Sequence, residues 1–192
     1  MLGITQPDAM VDTRYTSLVL HPCHERHLPI DLRGLAQLDC NGLLEGIFTL
    51  SGDLNLISWP SRRAAPEFRD SLWEHTCFEV FVAKDQEPGY TEYNFSPSGD
   101  WAAYRFNAYR NAGSGLLAEN PCASSIVTHT SEFRLEWKIK LADHMRRETV
   151  WWLNLAAVIE DLDGTLYYWA LAHPFAAPDF HHRTAFSLSV ES

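Results

Sequence analysis

Two glutamates are the side chains of this sequence with the clearest potential for chemistry. Glu79 lies in an apolar run at 77–83 and Glu92 in a second run at 90–96, and both runs alternate as β-strands do. A pair of carboxyl groups is what most glycoside hydrolases use as acid and base, which raises the hypothesis of an enzyme acting on a glycan. Two glutamates on adjacent strands do not define such a site by themselves, so we favour a structural or ligand-binding role.

Histidines are the second group of candidate residues. The segment at 21–27 holds three imidazoles and a thiol, but its spacing matches no common zinc module, so we interpret it as a surface loop. Near the end of the chain, His173, His181 and His182 flank a further loop. That loop could fold over a sheet end and bring His173, Asp179 and His181 together as a binding lid or a structural corner, and its histidines are candidate metal ligands.

Motifs of other enzyme classes are missing from the sequence. It contains no Gly-x-Ser-x-Gly nucleophile motif, no glycine-rich phosphate loop and no dinucleotide fingerprint. The segment at 96–99 is interpreted as a turn. No cofactor is predicted from these residues.

Composition and charge narrow the class of protein. The 192 residues are 46% hydrophobic and 12% aromatic, which is too apolar for a disordered chain and enough for one large β domain, so we predict a single domain over 1–192. The formal net charge is -10, and a surface of that sign repels phosphate backbones and anionic membranes. We therefore expect neither nucleic acid nor a membrane as partner. The oligomeric state is left open.

The first residues and the cysteines predict a cytoplasmic location. Residues 1–8 have neither a basic region nor a long apolar run, and no apolar stretch reaches the ~20 residues that span a bilayer. Four scattered cysteines fit reduced thiols better than a disulfide framework. They are Cys23, Cys40, Cys77 and Cys122.

Period-two alternation recurs along the chain and predicts an all-β sandwich or barrel with little helix. Short helical turns are predicted near 69–73 and 141–147, and turn signals include 111–115 and a hairpin at 162–165. The predicted strands lie near 16–21, 43–50, 54–59, 77–83, 90–96, 101–108, 124–130, 133–141, 150–159, 165–171 and 185–190.

The central strands can be sorted into two faces because successive side chains point to opposite sides. The predicted core face carries Phe78, Val80, Val82, Tyr93, Phe95, Tyr104 and Phe106. The opposite face then carries Glu79, Glu92, Asn94 and Arg105, with Trp101, Tyr90 and Phe81 nearby. This mixture of long polar and aromatic residues is typical of sites for polar ligands, although an ordinary solvated sheet face would also explain it.

The run at 150–159 is apolar on both faces, so we predict a central strand that is covered on both sides. Asn154 within it needs a hydrogen-bond partner. It could complete the polar face or bond to a neighbouring loop.

Several segments resemble the DOMON-like superfamily, which includes family-9 carbohydrate-binding modules and haem-binding relatives. They are LWEHTCFEVF at 72–81, YTEYNFSPSG at 90–99, WAAY at 101–104, YWALAHP at 168–174 and PDFH at 178–181. The similarity covers most of the chain past residue 40 and is greatest to small bacterial stand-alone members without assigned activity.

The resemblance implies an antiparallel β-sandwich of two sheets, of jelly-roll or immunoglobulin type, with the ligand on a concave face or at its rim. Sugar-binding members combine aromatic platforms with charged and amide groups. By this resemblance the binding residues would be Trp73, Glu79, Glu92, Asn94, Trp101, Arg105, Trp169 and His173.

Haem-binding relatives use axial Met or His ligands. The three methionines, Met1, Met10 and Met145, occupy no convincing strand position, so His173 or His181 would have to serve. The preferred hypothesis is a non-catalytic module that binds a small polar molecule or sugar. Its alternatives are a haem or metal protein and a glycan-acting enzyme.

Overall fold

The computed structural model describes residues 15–116, 124–129, 131–141 and 149–191, and its regular structure is almost entirely β-strand. Three short 3₁₀ helices accompany the strands, at Leu54–Leu56, Leu72–Glu74 and Arg183–Ala185. The strands are β1 (Thr16–Ser17), β2 (Val19–Leu20), β3 (Ile30–Leu38), β4 (Leu43–Gly52), β5 (Cys77–Lys84), β6 (Tyr90–Phe95), β7 (Trp101–Ala108), β8 (Asn111–Leu116), β9 (Ser124–His129), β10 (Glu132–Lys140), β11 (Val150–Glu160), β12 (Leu166–Ala170) and β13 (Leu188–Glu191).

These strands form two antiparallel sheets, which confirms the predicted all-β sandwich. Sheet 1 has the order β1-β3-β4-β10-β9. Sheet 2 has the order β2-β12-β11-β5-β6-β7-β8, and β13 pairs with β11 beside this path. Within the described residues, no helix is long and apolar enough to cross a membrane.

The core lies between the sheets and follows the alternation of the strands. In β10, Phe133, Leu135, Trp137 and Ile139 are buried, whereas the side chains between them face outward. Rings from both sheets meet there: Phe48 of β4 lies 5.3 Å from Phe78 of β5 between ring centroids. Strands β5 and β11 are buried on both faces, as central strands of a covered sheet should be.

Two predicted elements are wrong, and one strand was missed. Residues 54–59 form no strand, because the Asp53 side chain accepts the backbone N–H of Asn55 and starts a 3₁₀ helix there. Residues 111–115, predicted as a turn, belong to β8. Strand β3 was not predicted at all.

Other boundaries differ from the sequence-based prediction. The run at 16–21 splits into β1, which joins sheet 1, and β2, which joins sheet 2, with the buried Leu18 between them. The turn predicted near 69–73 lies slightly later, at Leu72–Glu74. The turn predicted at 141–147 falls almost wholly outside the described residues.

The predicted hairpin at 162–165 is confirmed and connects β11 to β12. Gly164 has φ of 82°, the left-handed conformation that Asp-Gly turns require. The buried Asp161 carboxylate organises this turn. It accepts the backbone N–H groups of Asp163 and Thr165, each at 2.9 Å, and the Tyr167 hydroxyl at 3.2 Å.

Replacing this carboxylate should weaken the hairpin. Asp161→Ala removes three hydrogen bonds and leaves a buried hydroxyl and two turn N–H groups without their acceptor, so we expect a loss of about 2 kcal/mol in the free energy of unfolding. Urea denaturation measures it. Asp163→Ala is the control because that side chain is exposed, and equal effects of the two changes would contradict this role.

Candidate functional site

The face of sheet 2 that points away from the core carries a second buried cluster. Phe180 and Phe186, from the segment after β12, pack against Phe81 of β5 with ring centroids 6.4 and 6.0 Å apart. The same segment is bonded to the sheet at Asn154, whose amide donates to the carbonyl of Phe180 at 3.0 Å. Of the two partners considered for Asn154, the structure therefore shows the neighbouring loop.

Beside this cluster lies a cavity of about 560 Å³. Its bottom is formed by β5, β6, β7, β11 and β12, and the C-terminal segment closes one side. Aromatic rings that line it are Trp73, Tyr104, Phe106, Tyr168 and Phe180. Ionisable side chains that line it are Glu74, Glu79, Glu92, Arg110 and His181.

Glu79 is the most deeply placed acid of the cavity. Only 3% of it is exposed, and among the described residues its carboxyl has no hydrogen-bond partner. Burial raises the pKa of Glu79 well above its usual value, and the nearby Glu92 raises it further. Both effects favour the neutral form of this carboxyl over the charged one.

Glu92 lies on the same face of β6 and is held in position by its neighbours. The Asn94 amide donates to Glu92 Oε1 at 2.7 Å, while Oε2 lies 3.7 Å from Nε2 of His181. Burial raises the pKa of Glu92 to about 7, although the Asn94 hydrogen bond and the charge of Arg110 act in the opposite direction. At neutral pH this carboxyl titrates.

His181 is fixed by Tyr90, which is buried on β6. The Tyr90 hydroxyl lies 2.8 Å from Nδ1 of His181 and accepts the backbone N–H of Arg110 at 3.2 Å. Burial lowers the pKa of His181 to about 4 and raises that of Tyr90 to about 12. If Nδ1 of the neutral imidazole accepts a hydrogen bond from the Tyr90 hydroxyl, the ring N–H is on Nε2, which faces Glu92.

Arg110 is paired with a carboxylate beside the cavity. Its guanidinium donates to Asp179 at 3.0 Å, and the Tyr109 hydroxyl donates to the other oxygen of the same carboxylate at 2.7 Å. The His181 backbone N–H also donates to Asp179. These bonds connect the C-terminal segment to the end of β7.

Trp73 forms the opposite rim of the cavity. It lies in the 3₁₀ helix before β5, is 39% exposed and contacts Tyr104 edge to face, with ring centroids 5.6 Å apart. The Tyr104 hydroxyl donates to Asp70 at 2.6 Å. The indole, exposed and at 69° to the tyrosine ring, provides an apolar platform among the residues that line the cavity.

The structure brings together part of the predicted binding set. Trp73, Glu79 and Glu92 all line the cavity. Asn94 lies behind them, buried, where it orients Glu92. Their role in binding stays a prediction.

The predicted positions of Trp101 and Arg105 are wrong. Cross-strand pairing places Trp101 opposite Phe95, in the core, and Arg105 opposite Thr91, exposed to solvent. Tyr104, assigned to the core from sequence, pairs with Glu92 and lines the cavity together with Phe106. Strand β7 has aromatic residues on both faces, so its alternation fits either orientation.

Trp169 and His173 also lie away from the cavity. Trp169 is buried in the core between the sheets. His173 bonds through Nε2 to the carbonyl of Val19 at 2.8 Å, and its ring contacts His21 at 4.7 Å between centroids. Neither side chain lines the cavity, and a binding role for them stays a prediction.

The histidines do not form a common ligand set. His181 contacts Tyr90, and His182 Nδ1 lies 2.9 Å from the Thr184 hydroxyl, so they and His173 have three separate groups of partners. Within the described ranges, no three His, Cys, Asp or Glu side chains are grouped as metal ligands are. Binding of haem stays an alternative prediction. The three methionines of the chain lie outside the described residues.

The segment at 21–27 differs in part from the predicted surface loop. His21 is only 1% exposed, and its ring accepts the N–H of Cys23 at 3.0 Å. Cys23 and Cys40 are exposed free thiols, whereas Cys77 is a buried one.

Some lining residues were not identified from sequence. Tyr168 and Phe180 lie in the quoted tail segments, which was the available signal. Arg110 follows the end of β7, and no sequence signal identified it. Sequence reasoning considered His181 as a metal ligand or as part of a lid or corner with His173 and Asp179. Its approach to Glu92 was not predicted, because that depends on how the C-terminal segment folds back.

Comparison with known proteins finds similarity at the level of structure. No family model and no curated protein matches the sequence. A cellotriose complex of a family-9 carbohydrate-binding module from Caldicellulosiruptor kristjanssonii superposes with a TM-score of 0.60 and 10% identity, covering 96% of this chain and 85% of that one. The fold is that of a family-9 carbohydrate-binding module.

Two further structures share this CBM9-like fold. A glucose complex of a CBM9 module from the same organism has a TM-score of 0.56 and 11% identity, covering 97% of this chain and 87% of that chain. A candidate carbohydrate-binding protein from Bacteroides uniformis has a TM-score of 0.70 and 11% identity, covering 93% and 86%. The wider DOMON-like assignment and a bacterial source stay predictions.

Proposed function

We propose that this protein is a non-catalytic binding module for a mono- or oligosaccharide, which it holds in the cavity on the outer face of sheet 2. The observation that carries this proposal is the cavity of about 560 Å³, which combines an exposed indole platform with two buried carboxyls. Its size lies within the range of small-ligand sites. The proposal is supported by the glucose and cellotriose complexes of structures that share the fold.

The chemistry of the cavity suits a sugar. The rings of Trp73 and Tyr104 offer apolar faces on which the C–H groups of a pyranose can pack. Glu79 and Glu92 provide oxygens for its hydroxyl groups, and Glu79 has no protein partner among the described residues to compete. Asn94 keeps Glu92 in a fixed orientation, which lowers the entropy lost on binding.

A glycan-acting enzyme is the second candidate, because Glu92 has the raised pKa expected of a general acid. Such an enzyme also needs a partner carboxylate that stays ionised as nucleophile or base. Burial raises the pKa of Glu79 as well, which disfavours the ionised form that this role requires. Absence of hydrolysis of aryl glycosides by the purified protein would agree with a binding module, whereas turnover that Glu92→Gln abolishes would establish the enzyme.

Removal of the indole platform should weaken sugar binding. For Trp73→Ala we expect about a fivefold or larger rise in Kd for the best sugar of a mono- and oligosaccharide panel, measured by isothermal titration, because an aromatic contact contributes on the order of 1 kcal/mol. The site is otherwise unchanged, since Trp73 is exposed and lies in a short 3₁₀ helix.

Arg105→Ala is the control for this experiment. Arg105 is exposed on the other face of β7, so its removal should leave Kd unchanged. The proposal fails if wild type binds no sugar of the panel, and the placement of the site fails if Arg105→Ala weakens binding while Trp73→Ala does not.

A further inference from the structure

We infer that the ligand of this cavity carries a protonated amine, as an amino sugar does, and that its ammonium group binds against Glu79 and Glu92. This inference rests on the proposed carbohydrate binding and names the class of sugar. It follows from three features of the described residues: unbalanced acidic charge, an unpartnered buried carboxyl and a wall of aromatic rings.

The charged groups of the cavity do not balance. Glu74, Glu79 and Glu92 line it as acids, and Arg110 and His181 are its bases. Arg110 is bonded to Asp179 at the rim, and burial keeps His181 neutral by lowering its pKa to about 4. Arg110, whose charge also acts on Glu92, is thus shared with Asp179, so the three acids of the cavity outnumber the one cation they face, on a chain whose formal net charge is -10.

Glu79 is the group that most needs such a counter-charge. It is 97% buried, lines the cavity and has no hydrogen-bond partner among the described residues. Because this side chain lines the cavity, a bound ligand can reach its carboxyl oxygens and become their partner. An ammonium group supplies three N–H donors and a full positive charge. These are the partners that a carboxylate binds most strongly.

The aromatic walls of the cavity also favour an ammonium group. Rings of Trp73, Tyr104, Phe106, Tyr168 and Phe180 surround the carboxyls, and the faces of aromatic rings attract ammonium groups by about 0.5–2 kcal/mol each. A neutral sugar would use these rings for packing alone. Carboxylates together with aromatic faces discriminate in favour of a cation.

Binding of a cation should also release protons. Burial raises the pKa of both carboxyls in the empty cavity, and a bound ammonium would lower those pKa values again by favouring the charged forms. The groups that face them are Tyr104 on β7, Arg110 after β7 and His181 on the C-terminal segment. A neutral sugar gives no comparable release.

The test compares matched ligands by isothermal titration at about pH 6, where amines stay protonated. The probes are glucosamine against glucose, and cyclohexylamine against cyclohexanol. We expect glucosamine to bind at least about tenfold tighter than glucose, which is a difference of about 1.4 kcal/mol. Titration in two buffers of different ionisation enthalpy should show proton release for the two amines, glucosamine and cyclohexylamine, and none for glucose or cyclohexanol.

Glu79→Gln and Glu92→Gln should each reduce the ratio of glucosamine affinity to glucose affinity to near one. Two variants are used so that the test still stands if one of them fails to fold. Glu87→Gln is the matched control, because Glu87 is exposed outside the cavity and pairs with Lys84. It should keep the wild-type preference. Retention of the preference in both cavity variants would overturn the inference.

The outcomes separate this inference from the proposed function. Equal or tighter binding of glucose would overturn the amine inference and leave carbohydrate binding in place. Binding of cyclohexylamine without binding of either sugar would support the ammonium site and overturn the carbohydrate proposal. If none of the four probes binds, both are overturned.

Discussion

Glu92→Gln is expected to stabilise the ligand-free protein by about 3 kcal/mol above pH 7 and to leave its stability nearly unchanged below pH 4.5. The folded-state pKa of Glu92 is about 7 against an ordinary value of 4.5. The folded protein therefore binds this proton more tightly than the unfolded chain does. Stability falls as the pH rises between these two values, and the cost of burying the charge is fully present above the higher one.

Glutamine removes this cost without changing the packing. Its side-chain oxygen can still accept the Asn94 amide that now bonds Glu92 at 2.7 Å. The neighbouring Glu79 also loses a negative charge that raises its own pKa. The variant should thus become less sensitive to pH than the wild type.

Chemical denaturation at pH 5 and at pH 8 measures this effect as the change in the free energy of unfolding. The exposed Glu87→Gln should follow the wild type at both pH values, since its carboxyl remains in water. A wild-type slope that persists in Glu92→Gln would show that Glu92 is not the group responsible.

Gly46→Ala is expected to destabilise the protein by about 3 kcal/mol, because the core has no space for the added methyl group. Gly46 lies on β4 opposite Trp137 of β10. A Cβ at this position would overlap both the Trp137 ring and the carbonyl oxygen of Leu35. The fully buried indole occupies the space that glycine leaves open.

Thermal or urea unfolding checks this prediction, with Lys138→Ala as the control on the outer face of the same strand pair. That exposed change should stay within about 0.5 kcal/mol of wild type. Trp137→Phe should restore part of the stability when combined with Gly46→Ala, because the smaller ring relieves one of the two overlaps. A fully additive double variant would contradict direct contact between these residues.

The strands that were predicted correctly are those with one clearly buried face. In β10 every second side chain enters the core while the others stay in solvent, so burial imposes alternation on the sequence itself. Strand β3 was missed for the opposite reason. Its inner face includes Gly34, and a side chain there would meet Leu155 of the other sheet. Only the packed sandwich shows why a small residue is required.

The candidate site, too, was predicted only in part from the sequence. Sequence placed Glu79 and Glu92 on one face of two neighbouring strands, because period two fixes relative faces along each strand. It could not fix the face of β7, where Trp101 and Tyr104 are both aromatic; the pairing of Glu92 with Tyr104 decides it.

The alternating strands and their paired glutamates were thus determined by local sequence, since neighbouring residues suffice to set which side chains share a face. The cavity was decided by tertiary structure alone. His181 lies 91 residues along the chain from Tyr90, yet their side chains meet at 2.8 Å. Contacts of this range depend on how the C-terminal segment packs over sheet 2, which alternation within a strand does not encode.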